Sequence, residues 1–128
     1  MIKKIENDLE VKNIKKYMNS IQPVYRVTLK KNEKFFGPGI SQLLHHIEEL
    51  GTIQKACEEM GMSYSKAWKI IKRVEKEMGF KVLDTVIGGV NGGKSQISPE
   101  CKILLKNYDK MLNELEKQTE KIFSKYFQ

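Results

Sequence analysis

The feature that most limits the fold of this 128-residue chain is the spacing of three glycines, Gly51, Gly61 and Gly79. The apolar periodicity before each of them predicts helices over residues 40–50, 53–60 and 63–78, each ending at a glycine. Thr52 and Ser63 stand where the second and third helices need an N-cap oxygen. Two short helices joined by a glycine turn are typical of a helix-turn-helix unit.

The segments on either side predict a small amount of β-structure. Residues 25–30 alternate apolar and polar side chains before a polar turn at 31–33, which indicates a β-hairpin with one buried face. Two further β-like runs, VLDTVI and KSQIS, flank a glycine-rich loop. Pro99 suits the first turn of a last helix that reaches about Phe127. We therefore expect a mostly α fold with small β-sheets (α+β): a winged helix-turn-helix with an N-terminal hairpin and a long C-terminal helix.

Composition bounds the organisation and the class of partner. We expect an N-terminal arm or helix over 1–23, one winged-helix domain over 24–98 and a dimerisation helix over 99–128. A formal charge of +7 favours an anionic partner, and no segment looks like a signal peptide or a membrane span, which indicates a cytoplasmic protein. Cys57 and Cys101 read as reduced thiols. No residue pattern indicates catalysis, a metal site or a cofactor.

The predicted third helix separates an apolar stripe from a basic face. Five basic and two acidic residues lie between Ser63 and Gly79. The basic face comprises Lys66, Lys69, Lys72, Arg73 and Lys76, with Ser65 among them. Such a face either fits the major groove of DNA or is a solvated helix surface; the helix-turn-helix context favours DNA. Tyr64 and Trp68 lie at its border, and the indole is expected either to pack on the core or to touch DNA.

The loop sequence GGVNGGKS from Gly88 to Ser95 fits two functions. It matches the phosphate-binding pattern G-x-x-x-x-G-K-[ST], but the strand-like residues that follow Lys94 leave no helix N-terminus at the lysine. The alternative is the flexible tip of a wing, the β-hairpin over residues 82–98. In that case Asn91, Lys94 and Ser95 reach the DNA backbone or the minor groove. We favour the wing.

The last helix carries apolar residues at alternating spacings of four and three, the pattern of a coiled-coil seam. The candidate dimerisation residues are Leu104, Tyr108, Met111, Leu115 and Ile122. Exposed aromatic residues near its end favour a homodimer over a frayed helix.

Two segments together resemble a known family: GISQLLHHIEELGTIQKACEEMGMSYSKAW and VLDTVIGGVNGGKSQIS. They are similar to the N-terminal winged-helix domain of the molybdate-responsive ModE regulators, which is related to the DNA-binding domain of LysR-type regulators. The resemblance implies that the recognition helix and wing bind DNA and that the long helix helps to form a dimer. By this resemblance, the residues expected near the major groove are Ser63, Tyr64, Ser65, Lys66, Trp68 and Lys69. Full-length members also have oxyanion-binding domains; because this chain stops before one could begin, we expect no molybdate binding.

Together these features predict a sequence-specific regulator that binds double-stranded DNA as a homodimer and is not an enzyme. The alternative function is a protein–protein adaptor on the same fold, and a nucleotide-binding protein is less favoured.

Overall fold

The computed structural model describes residues 15–86 and 94–128, and this part of the chain is mostly helical. Its elements are, in order, α1 (Lys15–Met18), β1 (Leu29–Lys30), β2 (Lys34–Phe36), α2 (Pro38–Leu50), α3 (Ile53–Met60), α4 (Tyr64–Met78), β3 (Leu83–Val86), β4 (Lys94–Ile97) and α5 (Pro99–Phe127). The two small sheets are the antiparallel pairs β1–β2 and β3–β4. This is the winged-helix arrangement of α+β class that the sequence predicts.

The predicted helix boundaries follow from local chemistry. Helices α2, α3 and α4 each end at a glycine in the left-handed region, with φ of +83°, +62° and +79°. An L-residue with a side chain would be strained there, which is why Gly61 can turn the chain so sharply between α3 and α4. The hydroxyl of Thr52 accepts a hydrogen bond from the Lys55 N–H at 3.1 Å and caps α3.

The core of the unit formed by residues 26–111 lies between its helices and the first hairpin. The largest side chains with less than 2 % exposure are Phe36, Leu43, Leu44, Ile47, Ile71, Ile97 and Tyr108. Ala56 and Ala67 are completely buried, one on each helix of the helix-turn-helix. Small side chains at these positions suit the close approach of α3 and α4.

The first hairpin is shorter than the alternating pattern indicates. Only Leu29 and Lys30 pair with β2, and the register is irregular between them. Phe35 and Phe36 supply the buried face, with 5 % and 1 % exposure, whereas Tyr25 is exposed. Two adjacent aromatic side chains thus anchor this hairpin, in place of three alternating ones.

The strands of the wing are held at their bases. In β3–β4, Leu83 pairs with Ile97 and Val86 with Lys94. The Ser98 hydroxyl donates a hydrogen bond to the Lys81 carbonyl and accepts one from the Cys101 N–H at 3.1 Å. One buried serine therefore joins the wing to the start of α5. The wing tip at 87–93 lies outside the described residues.

The predicted dimerisation role of Tyr108 needs correction. Its side chain is 2 % exposed, its ring centroid lies 4.9 Å from that of Phe36, and its hydroxyl donates a hydrogen bond to the Val27 carbonyl at 2.7 Å. Apolar spacing could not separate a residue that packs within its own chain from one that faces a second chain. Tyr108 is a core residue of the unit 26–111.

The second unit comprises residues 1–25 and 112–128, described here over 15–25 and 112–128. The Tyr25 hydroxyl donates a hydrogen bond to the Leu112 carbonyl at 3.2 Å. The rings of Phe123 and Phe127 stack with centroids 5.0 Å apart. The predicted arm or helix over 1–23 falls largely outside the described residues; its described part includes the short helix α1. None of the described helices combines the length and the apolar character that crossing a membrane requires.

Candidate nucleic-acid interface

Helix α4 is fixed at its start by a serine cap and a tight turn. The Ser63 hydroxyl accepts a hydrogen bond from the Lys66 N–H at 3.1 Å, as its position predicts. In the turn, the Met62 N–H donates to the Cys57 carbonyl at 2.9 Å. Cys57 itself is buried, and that burial raises the pKa of its thiol, assisted by the nearby Glu58 carboxylate. Cys57 is therefore a packing residue at the crossing of α3 and α4, and its thiol is free.

The basic face of α4 is exposed along its whole length. Each of its members is accessible to solvent: Lys66, Lys69, Lys72, Arg73 and Lys76. Ala67, Ile71 and Val74 on the other side of α4 are buried, and Ile70 and Met78 are half-buried. The predicted separation of core stripe and basic face is therefore present.

The two acidic side chains of α4 are directed into hydrogen bonds with the rest of the unit. Glu75 is half-buried, accepts a hydrogen bond from the Val82 N–H at 3.0 Å and lies 3.2 Å from the Lys72 ammonium. Glu77 is 5 % exposed and accepts a hydrogen bond from the Glu33 N–H at 2.6 Å. Among the exposed side chains of α4, the charged ones are therefore all positive, and the helix presents a uniformly attractive surface to an anion.

Tyr64 and Trp68 form a pair beside the basic face. Their ring centroids are 6.3 Å apart in an edge-to-face arrangement, with Tyr64 55 % exposed and Trp68 half-buried. The Lys72 ammonium lies 5.5 Å from the centroid of the Trp68 ring. Trp68 thus takes the border position that its spacing predicts, with part of its surface open to a ligand.

Comparison with known proteins relates this geometry to a known domain. Residues 41–91 match the model of the "bacterial regulatory helix-turn-helix protein, lysR family". The chain carries a LysR-type helix-turn-helix domain.

This domain is also similar to two curated ModE proteins. The chain is 30 % identical over 84 residues to the "Transcriptional regulator ModE" of Haemophilus influenzae, an alignment that covers 65 % of this chain and 33 % of that protein. It is also 30 % identical over 74 residues to the "Molybdenum transport protein ModE" of Herbaspirillum seropedicae, covering 58 % of this chain and 26 % of that protein. The chain therefore spans a third or less of the length of these relatives, and the resemblance seen in its sequence is confirmed for the LysR-type domain.

The wing of the LysR-type domain is described in part. Lys94 is exposed at the start of β4, and the Ser95 N–H donates a hydrogen bond to the Gly51 carbonyl at 2.8 Å. Asn91 lies outside the described residues. Lys94 begins a strand, and the next helix starts five residues later at Pro99. A phosphate-binding loop needs a helix N-terminus at its lysine, so this arrangement disfavours the nucleotide-binding alternative.

Sequence reasoning missed the long-range contacts that hold the helices of the unit 26–111 in place. Glu77 sits between the apolar stripe and the basic face, and its sequence position alone does not reveal that it holds the hairpin turn. The same holds for Asp109, one of whose carboxylate oxygens lies 2.7 Å from the His45 Nε2. The Ser41 hydroxyl donates to the other oxygen of Asp109 at 3.2 Å, so this carboxylate joins α2 to α5.

Proposed function

We propose that this protein is a transcriptional regulator that binds double-stranded DNA in a sequence-specific manner, with α4 in the major groove. The observation that carries the proposal is the charge of α4: its exposed charged side chains are all positive, because Glu77 is buried and Glu75 is half-buried, where it pairs with Lys72 and accepts the Val82 N–H. A helix with such a face is attracted to the phosphates that line the groove and can bring its first residues to the base edges. The LysR-type domain supports the same function, and so does the name of one relative, which is a transcriptional regulator.

The residues of α4 take different roles in this proposal. Those near its start are proposed to meet base edges or the neighbouring sugar–phosphate: Ser63, Tyr64, Ser65, Lys66, Trp68 and Lys69. Lys72 and Arg73, farther along, are proposed to contact phosphates. Lys72 is also 3.2 Å from Glu75, so its contribution should be smaller than that of Lys69.

The wing is proposed to bind beside the helix. Lys94, which is exposed, is proposed to contact a phosphate or the minor groove, together with Asn91 and Ser95. The proposed function includes no catalytic step.

We further propose that the regulator is a homodimer held by α5. The proposed seam comprises Leu104, Met111, Leu115 and Ile122. Within it, Leu115 and Ile122 are 37 % and 59 % exposed, and Tyr126 and Phe127 near the end of the helix are also exposed. Apolar side chains exposed in such a run mark an association surface. A two-fold dimer predicts inverted half-sites separated by about one helical turn of DNA, or a multiple of it.

Fluorescence anisotropy with a labelled duplex from the protein's own upstream region tests the DNA-binding function. Each phosphate neutralised should contribute about −0.9 to the slope of log K against log salt. The proposal expects a steep slope, tighter binding than to a scrambled duplex and a change in Trp68 fluorescence. Lys69→Ala should weaken binding, whereas the matched control Lys110→Ala, an exposed lysine on α5, should not.

The competing function is a protein–protein adaptor on the same fold. An adaptor would bind neither duplex with a salt-dependent affinity, and its basic face would be merely solvated. If the wild-type protein's affinity for duplex DNA does not depend on salt, the regulator function is wrong and the adaptor function is favoured.

A further inference from the structure

A groove runs between the first hairpin and α4, on the flank of the basic face. Its volume is about 670 Å³, and it lies entirely within the unit 26–111. Arg26 and Lys34 line it from the hairpin side, and Lys66, Lys69 and Arg73 line it from α4. Among the described side chains that line it, none is acidic.

The floor of this hairpin groove is apolar. Phe35 is 5 % exposed, and Ile40, Met62 and Ile70 are half-buried. The cations that line the same groove stay exposed to solvent and are therefore open to an anion. The groove therefore combines a surface for charged groups with one for the apolar faces of a sugar.

The two walls of the hairpin groove are fixed relative to each other. Glu77 of α4 accepts a hydrogen bond from the Glu33 N–H at 2.6 Å, and a second, longer one from the Asn32 side-chain amide at 3.4 Å. Lys34 follows Glu33 directly, so the backbone that carries this lysine is tied to α4. The Arg26 guanidinium lies beside Gly37 at the start of α2, where a Cβ would be 4.0 Å from Nη2.

The position of the groove determines which anion reaches it. The major groove is about 12 Å wide and an α-helix with its side chains is about 10–12 Å wide, so the two phosphate strands lie directly alongside an inserted helix. Lys66, Lys69 and Arg73 line the groove and also belong to the basic face proposed to enter the DNA. The hairpin, which lies against that side of α4, must therefore meet a sugar–phosphate strand.

We infer that the hairpin groove binds the sugar–phosphate backbone of duplex DNA, which makes the hairpin a DNA contact in addition to the recognition helix and wing. The inference rests on the proposed function. Arg26 and Lys34 contact phosphates, and because phosphates carry no base identity, these two residues add affinity and fix orientation without setting the sequence preference.

The test measures salt-dependent duplex binding of the full chain with the double variant Arg26→Ala/Lys34→Ala. Loss of two phosphate contacts should reduce the magnitude of the slope of log K against log salt by about 2 and weaken binding on the order of tenfold. The ratio of affinities for own and scrambled duplexes should stay unchanged. Arg26→Lys/Lys34→Arg, which keeps both charges, should retain most of the slope.

The matched control is Lys30→Ala/Lys31→Ala, which removes the same charge from exposed positions of the same hairpin that do not line the groove. Circular dichroism and urea unfolding check that each variant folds. Lys34→Ala alone, at an exposed position, is the second variant if the double variant is unstable, with an expected slope change of about 1.

The outcomes separate the inference from the function on which it rests. In one outcome, the wild-type affinity for duplex depends steeply on salt while the groove variant and the control variant have equal slopes. In that case the hairpin does not contact DNA, and the proposed regulator function is unaffected. If wild type itself shows no salt-dependent binding, both the proposed regulator function and the inferred hairpin contact are wrong. A larger slope change in the groove variant than in its control supports the inference.

Discussion

The carboxylate of Glu77, near the end of α4, accepts a hydrogen bond of 2.6 Å from the backbone N–H of Glu33 in the hairpin turn. This carboxylate is 5 % exposed, so it lies largely out of water. A buried charge is stable only when hydrogen bonds replace its hydration, and here the turn supplies those bonds. The contact satisfies a loop amide, holds the hairpin beside α4 and removes a negative charge from the exposed surface of α4.

We predict that Glu77→Ala lowers the free energy of unfolding by about 2 kcal/mol, because hydrogen bonds to charged groups contribute roughly 1.5–3 kcal/mol. Urea denaturation followed by circular dichroism measures the change. Hydrogen exchange of the Glu33 amide should become faster, because that N–H loses its acceptor.

The control for Glu77 is Glu59→Ala, an exposed glutamate on α3. It removes the same charge and should change stability by less than about 0.5 kcal/mol. Equal effects of the two substitutions would mean that Glu77 does not hold the hairpin.

We predict that Ser63→Ala destabilises the protein by about 1 kcal/mol, the usual cost of losing an N-cap. The Ser63 hydroxyl accepts the Lys66 N–H at 3.1 Å, and alanine leaves that donor without a partner in the helix. Ser63→Asp keeps the cap but adds a negative charge where DNA phosphates are proposed to lie. It should therefore restore stability and still weaken duplex binding.

Thermal unfolding and anisotropy, measured on both Ser63 variants, separate the two roles. Thr52→Asp provides the matched comparison, since it caps α3 in the same way outside the proposed contact. If Ser63→Asp bound DNA as tightly as wild type, Ser63 would not lie at the interface.

The local fold could be predicted because its signals are local. Gly51, Gly61 and Gly79 are C-caps because only glycine adopts a positive φ without strain, and Thr52 and Ser63 cap α3 and α4 because their hydroxyls reach an amide three residues on. The exposure of the basic face followed from helical periodicity in the same way.

Contacts between distant segments could not be predicted from these signals. Glu33 and Glu77 are 44 residues apart, and no spacing rule links a hairpin turn to the end of a helix. Tyr108 fits a heptad pattern equally well in a core and in a dimer seam, and only the packed structure shows that its ring meets Phe36. The alternation over residues 25–30 makes Arg26 a polar-face residue, but it does not show that Arg26 and Lys34 line a groove with α4.

We predict that Tyr108→Phe lowers the free energy of unfolding by about 1 kcal/mol, because it leaves the Val27 carbonyl without its hydrogen bond at 2.7 Å. Tyr64→Phe is the control, since it makes the same change on a ring that is 55 % exposed. Urea unfolding of the two variants compares them. Equal stabilities would mean that the Tyr108 hydroxyl contributes nothing to the core.

We predict that Cys101 makes stability fall at alkaline pH. Burial, with smaller effects of the Glu48 and Glu75 carboxylates, raises the pKa of its thiol from 9.0 to about 12. Below the unfolded-state pKa both states keep the proton; between the two pKa values only the unfolded state releases it, so the free energy of unfolding decreases as pH rises. At one unit above the unfolded pKa the loss should be about 1 kcal/mol.

The measurement for Cys101 is the stability difference between wild type and Cys101→Ala across alkaline pH. Lysines and tyrosines titrate in both proteins, so the difference isolates the thiol. It should shift in favour of the variant as pH rises above 9.0. A difference that stays constant with pH would mean that the thiol ionises equally in both states.

The last prediction concerns association through α5. Ile122 is 59 % exposed and belongs to the proposed dimer seam, whereas Ile103 is 62 % exposed on the same helix and does not. Ile122→Glu places a charge inside an apolar interface if the seam forms, which is costly because the carboxylate loses its hydration without gaining a partner. We expect the dimer to dissociate at concentrations where wild type is dimeric, as measured by sedimentation equilibrium.

Ile103→Glu makes the same substitution at similar exposure and should leave association unchanged. If both variants associate like wild type, the seam does not hold the dimer; if both dissociate, the interface extends over more of α5 than proposed. Loss of association in Ile122→Glu alone should also weaken binding to a two-half-site operator far more than binding to a single half-site, because only the dimer engages both halves at once.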